Sequence, residues 1–199
     1  MGMVFILEMV VSRWFDLYFG LVPVLVWKKY FLWQLFTYIF LHGGFSHILF
    51  NLLALWMFGG ELENYWGEKR FLFYFFFCGV GAGICTVIFS PDQFVPTIGA
   101  SGAIYGLLLA FGSLFPDRQI YIYFLVPIRA KYFVIIFGLI ELFSSIEGTG
   151  GGVAHLTHLG GLLFGLFYMA YPMIRQKIRR EHYKRKWSQR GPSNGDYYH

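Results

Sequence analysis

Charge is scarce in this chain. Lys, Arg, Asp and Glu together make up 14% of its 199 residues, where a soluble globular domain carries about 25%. Acidic groups are fewest, 11 in all. The aspartates, Asp16, Asp92, Asp117 and Asp196, all fall in connectors or termini, so the paired intramembrane Asp residues of an aspartyl membrane protease are missing. No His-Glu-x-x-His occurs, so the zinc membrane proteases lack their motif. His155 and His158 could be pictured as zinc ligands together with His42 and His47; no metal and no cofactor is expected. There are 2 cysteines, Cys78 and Cys85, in one apolar run. A helix would hold them about 10 Å apart along its axis, too far for a disulfide, and they are read as small apolar packing residues.

Hydrophobic residues fill the space that charge leaves: 57% of the chain, with 24 Phe and 24 Gly. Hydrocarbon about 30 Å thick needs roughly 20 apolar residues per spanning helix. Uncharged runs of that order lie at Tyr30 to Gly60, Phe71 to Pro91, Gln93 to Pro116 and Gly148 to Ile174. A multispan, all-α membrane protein follows, because only helices satisfy their own backbone in lipid without closing a barrel. Glu8, Arg13 and Asp16 interrupt the N-terminal apolar stretch, and no small-residue cleavage site follows it, so a signal peptide is not expected.

The spacing of breakers and charges gives the element plan. Helix 2 is expected from about His47 to Gly60, ending in a connector that holds Glu61, Glu63, Glu68, Lys69 and Arg70, and helix 3 from Phe71 to Phe89. Ser90-Pro91-Asp92 and Pro96 break the chain before helix 4, which opens near Ile98 and closes at Phe115-Pro116-Asp117-Arg118. The segment Gln119 to Ile128 is apolar but holds Pro127, so helix 5 is placed at Tyr132 to Phe143. A loop at Gly148 to Gly152 precedes helix 6, about Val153 to Met173. Two regions are expected: a transmembrane domain over 1–173 and a basic tail over 174–199.

The net charge is +5, and half of the cations, Arg175, Lys177, Arg179, Arg180, Lys184, Arg185, Lys186 and Arg190, sit in that tail. Directly after an apolar run, such a cluster marks topology or meets lipid headgroups rather than nucleic acid. With the tail cytoplasmic, alternation puts Lys69, Arg70, Arg118, Arg129 and Lys131 on the same side. The outer connectors, around Pro91-Asp92 and Ser144 to Gly152, then carry no Lys or Arg. Arg13, Lys28 and Lys29 are the exceptions.

Ser101, in Gly99-Ala100-Ser101-Gly102, and His158 both lie in uncharged runs and share the outer level of the bilayer in this plan. Polar groups in hydrocarbon are costly and are kept where they pair, line a wet cavity or react. A serine hydroxyl needs a base to take its proton, and histidine is the usual one. Gly102 and Gly106 on helix 4, and Gly161 and Gly165 on helix 6, have the small-xxx-small spacing that lets membrane helices meet backbone to backbone. Tyr105 follows Ser101 by one turn, where its ring could stack on the imidazole.

No acid is placed to orient that imidazole. Glu141 and Glu147 are the acids near the outer side in helices 5 to 6. Glu141 suggests function as an intramembrane ionisable group, but is read first as a helix-end carboxylate near the outer interface. A Ser-His dyad is therefore expected rather than a triad. His47 and Asn51 share one face of helix 2, with His42 just before it. They could aim donors at a developing oxyanion or simply hydrogen-bond the irregular loop around Gly43-Gly44.

Trp33, then His42-Gly43-Gly44-Phe45-Ser46-His47-Ile48-Leu49-Phe50-Asn51, then Gly99-Ala100-Ser101-Gly102-Ala103-Ile104-Tyr105-Gly106, then His158-Leu159-Gly160-Gly161 with Gly165, resemble the rhomboid intramembrane serine proteases, in order, over about residues 20 to 172. The resemblance implies a six-helix bundle with a water-filled cavity open to the outer side. It implies Ser101 as nucleophile, His158 as general base, His47, Asn51 and the Ser101 amide as the oxyanion hole, and Tyr105 stacked on His158. His155 is not at the family's catalytic position and is read as a loop or helix-start histidine.

The substrates so implied are transmembrane segments of other proteins, in a bacterial-type plasma membrane. A catalytically silent relative that binds membrane proteins is the alternative, and a transporter or channel a more distant one. Two departures stand out. Trp33-Gln34 replaces the family's frequent Trp-Arg, which puts a loop contact in question, and only about eighteen residues precede Phe19-Gly20-Leu21-Val22-Pro23, so helix 1 is expected to be truncated.

Overall fold

The structure is a computed structural model that describes residues 1–10, 14–122, 125–147 and 152–190. It is a nearly all-α membrane helix bundle. Among the described residues, the helical runs Phe45–Trp66, Glu68–Phe89 and Val153–Pro172 are long and apolar enough to cross a bilayer, and Ser101–Leu114 is a shorter apolar helix. The chain divides into two compact units, Met1–Leu166 and Phe167–His199.

Two short helices, α1 (Gly2–Val10) and α2 (Trp14–Phe19), open the first unit. Next come α3 (Pro23–Lys29), started by a proline at its first position, and α4 (Gln34–Thr37) with a 3-10 turn at Tyr38–Phe40. The side chains of α4 pin the preceding segment. Gln34, fully buried, accepts the Val22 N–H at 3.0 Å through Oε1 and donates to the carbonyls of Leu17 at 2.9 Å and Tyr18 at 3.2 Å. Trp33 Nε1 donates to the Tyr18 carbonyl at 2.9 Å and Thr37 Oγ1 to that of Phe19 at 2.6 Å. Gln34 thus holds this segment with an amide that both donates and accepts.

Helix 2 is longer than expected. It runs as α5 (Phe45–Ala54), a wider π-type turn at Leu55–Gly59 and α6 (Gly60–Trp66). Glu61 and Glu63 lie inside α6 rather than in a connector, because fully buried Leu62 between them holds the helix against the core while the carboxylates face outward. Gly67 separates it from α7 (Glu68–Phe89). In its apolar window 61% of α7 is buried, against 28% for Phe45–Trp66 and 22% for Val153–Pro172, which makes α7 the central helix; Tyr74, Cys78 and Ala82 are fully enclosed.

After α8 (Ser101–Leu114), the chain forms a β-hairpin that the sequence reading did not foresee. Strand β1 (Gln119–Ile122) pairs antiparallel with β2 (Val126–Arg129), Gln119 opposite Arg129 and Tyr121 opposite Pro127. Pro127 would cost a helix interior about 3 kcal/mol but is tolerated on an edge strand, and isoleucine, tyrosine and valine favour the pleated surface. Asp117 accepts from Lys131 Nζ at 2.8 Å and lies 3.5 Å from Arg129. The Lys131 hydrogen bond holds its carboxyl below the usual carboxylate range.

Helix α9 (Ala130–Glu147) extends beyond the expected Tyr132 to Phe143 at both ends. The expected loop at 148–151 lies outside the described residues, and Gly152 already opens α10 (Gly152–Arg190). Within the second unit, α10 continues through Pro172 and into the basic segment as far as Arg190.

Candidate active site

Ser101 owes its position to the segment before it. Leu21 and Thr97 exchange backbone hydrogen bonds of 2.9 and 2.8 Å, and the Gly99 N–H donates to the Tyr38 carbonyl at 2.9 Å. Gly99 has φ 118°, a left-handed conformation that side chains disfavour. A Cβ there would also lie 2.7 Å from His47 Nε2. The turn thus brings His47, on α5, against the entry to α8. Ser101 is the first residue of α8, so its amide is among those a helix leaves without an internal partner.

His158, on α10, faces Ser101 with Nε2 2.8 Å from Oγ. The backbones approach closely enough for this because Gly161 carries no side chain: a Cβ there would sit 1.8 Å from the Gly102 carbonyl oxygen. Buried polar ties fix the same layer. Tyr74 Oη donates to the Gly106 carbonyl at 2.7 Å, and the Thr86 and Thr157 hydroxyls share a hydrogen bond of 2.7 Å. The Tyr105 ring stacks on His158, centroids 4.4 Å apart and planes 14° apart.

The expectation that no acid reaches His158 is corrected here. Glu141 Oε1 lies 3.0 Å from His158 Nδ1, and its side chain is buried. The sequence plan ended helix 5 at Phe143, which made Glu141 a helix-end group; α9 runs on to Glu147, so Glu141 sits within the helix and turns toward α8 and α10. Tyr105 donates its hydroxyl hydrogen to Oε1. His155 Nδ1, in the first turn of α10, lies 2.5 Å from Oε2, so this histidine does more than start a helix. Among the described residues, Glu141, His155 and His158 are the group whose potential metal-ligand atoms come within 4.8 Å of one another. The 2.5 Å between His155 Nδ1 and Glu141 Oε2 is the separation of a shared proton, shorter than the roughly 3.3 Å between ligands about a zinc ion with bonds near 2.0 Å.

The remaining expected site residues lie on or beside α5. Asn51 is buried and donates one amide hydrogen to the His47 carbonyl at 2.8 Å. The His42 and His47 rings meet edge to face at 5.1 Å. His42 is anchored through its backbone N–H, which both carboxylate oxygens of Glu8 accept at 3.0 Å. Glu8 was legible in the sequence only as a charge interrupting an apolar stretch, and nothing in its spacing pointed to the loop before α5.

A family model for the rhomboid domain matches residues 30–175. The chain is 38% identical over 143 residues to the rhomboid protease GluP of Bacillus subtilis, covering 69% of this chain and 25% of that one. It is 33% identical over 150 residues to the putative rhomboid protease YdcA of the same organism, covering 74% and 70%. It is 31% identical over 145 residues to the rhomboid protease GlpG of Salmonella paratyphi A, covering 72% and 49%. The chain thus spans a quarter of GluP and about half of GlpG. With its match over most of the chain and its apolar helices, this integral membrane protein belongs to the rhomboid family.

Proposed function

We propose that this chain is an intramembrane serine endopeptidase that cuts transmembrane segments of other membrane proteins with Ser101 as nucleophile and His158 as general base. The observation that carries the reading is the 2.8 Å contact between Ser101 Oγ and His158 Nε2 across two apolar helices. In this mechanism Nε2 takes the hydroxyl proton as Oγ attacks the scissile carbonyl, then returns it to the leaving amine. Water hydrolyses the acyl-enzyme by the same route. The oxyanion receives hydrogen bonds from the Ser101 amide, the His47 ring and the second amide hydrogen of Asn51, the first being used on the His47 carbonyl. Tyr105 keeps the imidazole plane in register, and Gly99, Gly102 and Gly161 allow the close approaches.

A substrate helix must unwind locally before its backbone can reach Oγ, so helix-weakening residues near the cut are part of the proposal. The transmembrane domain is assigned to 1–173 and the basic tail to 174–199. The tail lies in the cytoplasm of a bacterial-type plasma membrane, by the excess of Lys and Arg that cytoplasmic segments carry. The test is labelling of purified protein with a fluorophosphonate and cleavage of a single-span reporter in proteoliposomes. Both are expected for wild type and abolished in Ser101→Ala and His158→Ala. Folded wild type that neither labels nor cleaves would leave a membrane-protein binder in its place.

A further inference from the structure

We propose that Glu141 is a positioning residue for His158, the acid of a Ser101-His158-Glu141 relay tethered by Tyr105 and His155. A carboxylate within a lipid-spanning bundle is costly to keep, and α9 around it is otherwise apolar, with Leu139, Ile140, Leu142 and Phe143 exposed on the outer surface of the bundle. In the stretch from Leu139 to Phe143, Glu141 alone is buried. Its partners come from two other helices: the Tyr105 hydroxyl on Oε1, His158 Nδ1 at 3.0 Å from the same oxygen, and His155 Nδ1 at 2.5 Å from Oε2.

The chemistry fixes what this arrangement does. Nε2 of His158 faces the Ser101 hydroxyl, and it accepts that proton only if it carries none. The neutral ring must then hold its hydrogen on Nδ1. Nδ1 is fully enclosed and has no hydrogen-bond partner among the described residues, and the Glu141 carboxylate stands 3.0 Å away. The opposite tautomer would turn the Nδ1 lone pair toward that anion, so Glu141 selects the competent form. When the Ser101 proton moves to Nε2, the Nδ1 proton stays on the ring, Glu141 stays ionised, and the carboxylate faces an imidazolium rather than a neutral ring. The proton then leaves from Nε2 to the amine. In the resting structure the Nδ1–H is close to Oε1 but not aligned with it, and such bonds tighten when substrate binds.

Tyr105 serves both ends of the relay, since its ring stacks on His158 and its hydroxyl holds Glu141. His155 restrains the other carboxylate oxygen. With both oxygens tied, Glu141 cannot swing away from the base.

This inference rests on the Ser101-His158 reading, and the experiment separates the two. The full chain in detergent is compared as wild type, Glu141→Gln, Glu141→Asp and Tyr105→Phe. The measurements are the second-order rate of fluorophosphonate labelling, kcat and KM on a single-span reporter, and Tm. Glu141→Gln is expected to slow labelling and lower kcat by about 100-fold, at the low end of what general acid-base assistance supplies, with KM within about twofold. Glu141→Asp is expected to regain part of both rates, which a packing role would not produce. Should Glu141→Gln fail to fold, Tyr105→Phe keeps the stacked ring and removes only the tether, and labelling about tenfold slower is expected. Labelling by the folded Gln variant, or failing that by Tyr105→Phe, within twofold of wild type overturns the relay while leaving the protease intact. Wild type that does not label at all overturns both.

Discussion

Gly161 and Gly102 meet so closely that a single added carbon on Gly161 would lie 1.8 Å from the Gly102 carbonyl oxygen. The obstacle is backbone, which cannot rotate aside as a flexible side chain would. Everything that joins Ser101 to His158 depends on that contact, because the two residues sit one turn or less from these glycines on α8 and α10.

Gly161→Ala should therefore separate the helices. Overpacking costs about 1–3 kcal/mol in stability, and a shift of even 1 Å would break the 2.8 Å Ser101-His158 hydrogen bond, so loss of activity should exceed loss of stability. Labelling of Ser101 is expected to fall by more than about tenfold, with Tm lowered. Gly138→Ala is the control: a Cβ there meets only Leu162 Cδ1 at 3.6 Å, an ordinary contact, and both measurements should match wild type.

Replacement of Gln34 tests a different joint. Gln34→Met keeps the bulk but strands the Val22 N–H that Oε1 accepts at 3.0 Å, and an unsatisfied buried amide costs about 1–3 kcal/mol. A lower Tm in detergent is expected, with a smaller drop in labelling of the protein that remains folded, since Gln34 pins the Leu17 to Val22 segment, which reaches the entry to α8 only through the Leu21-Thr97 pair. Labelling lost while Tm is retained would contradict this.

Much of this site could be read from the sequence. Ser101, His158, Tyr105 and the glycine spacings were legible because each depends on short-range chain geometry: one helical turn, or a run without charge. Glu141 was legible as an anomaly and misjudged in role. Its role depends on where α9 ends, and a helix stopped at Phe143 falls short of Glu147, the last residue of α9. The β1-β2 hairpin was missed because an apolar segment of ten residues with one proline fits a broken helix as well as an edge strand. Glu61 and Glu63 looked like a helix stop, but charges in a last outer turn end nothing while the residue between them is buried. Glu8 illustrates the remaining gap: its bond to His42 joins residues 34 apart, and no local rule encodes such a contact.

The Thr86-Thr157 pair should behave as a coupled unit. Its 2.7 Å hydrogen bond joins α7 to α10 in a fully buried layer. Thr86→Val or Thr157→Val alone leaves the other hydroxyl with only its own helix carbonyl, Val153 or Ala82, and should cost about 1 kcal/mol each. The double variant should cost less than the sum, because it removes both partners together. Unfolding of the four proteins in the same detergent would measure the coupling, and strict additivity would show that the two hydroxyls do not depend on one another.

Gly99 joins a backbone conformation to a side chain of the site. Its φ of 118° costs about 1–3 kcal/mol for a residue with a Cβ, and that Cβ would meet His47 Nε2 at 2.7 Å. The imidazole can move, whereas the turn is tied to Tyr38 and leads directly into Ser101. Gly99→Ala should therefore displace the His47 ring more than it disturbs the fold. If His47 and the Ser101 amide stabilise the oxyanion, losing one such donor lowers kcat by about 10² to 10³. A kcat for reporter cleavage reduced by that order, with Tm only modestly lower, is the expected result. A variant that cleaves normally would separate His47 from oxyanion stabilisation, leaving it the loop-bonding role of a polar residue beside Gly43-Gly44.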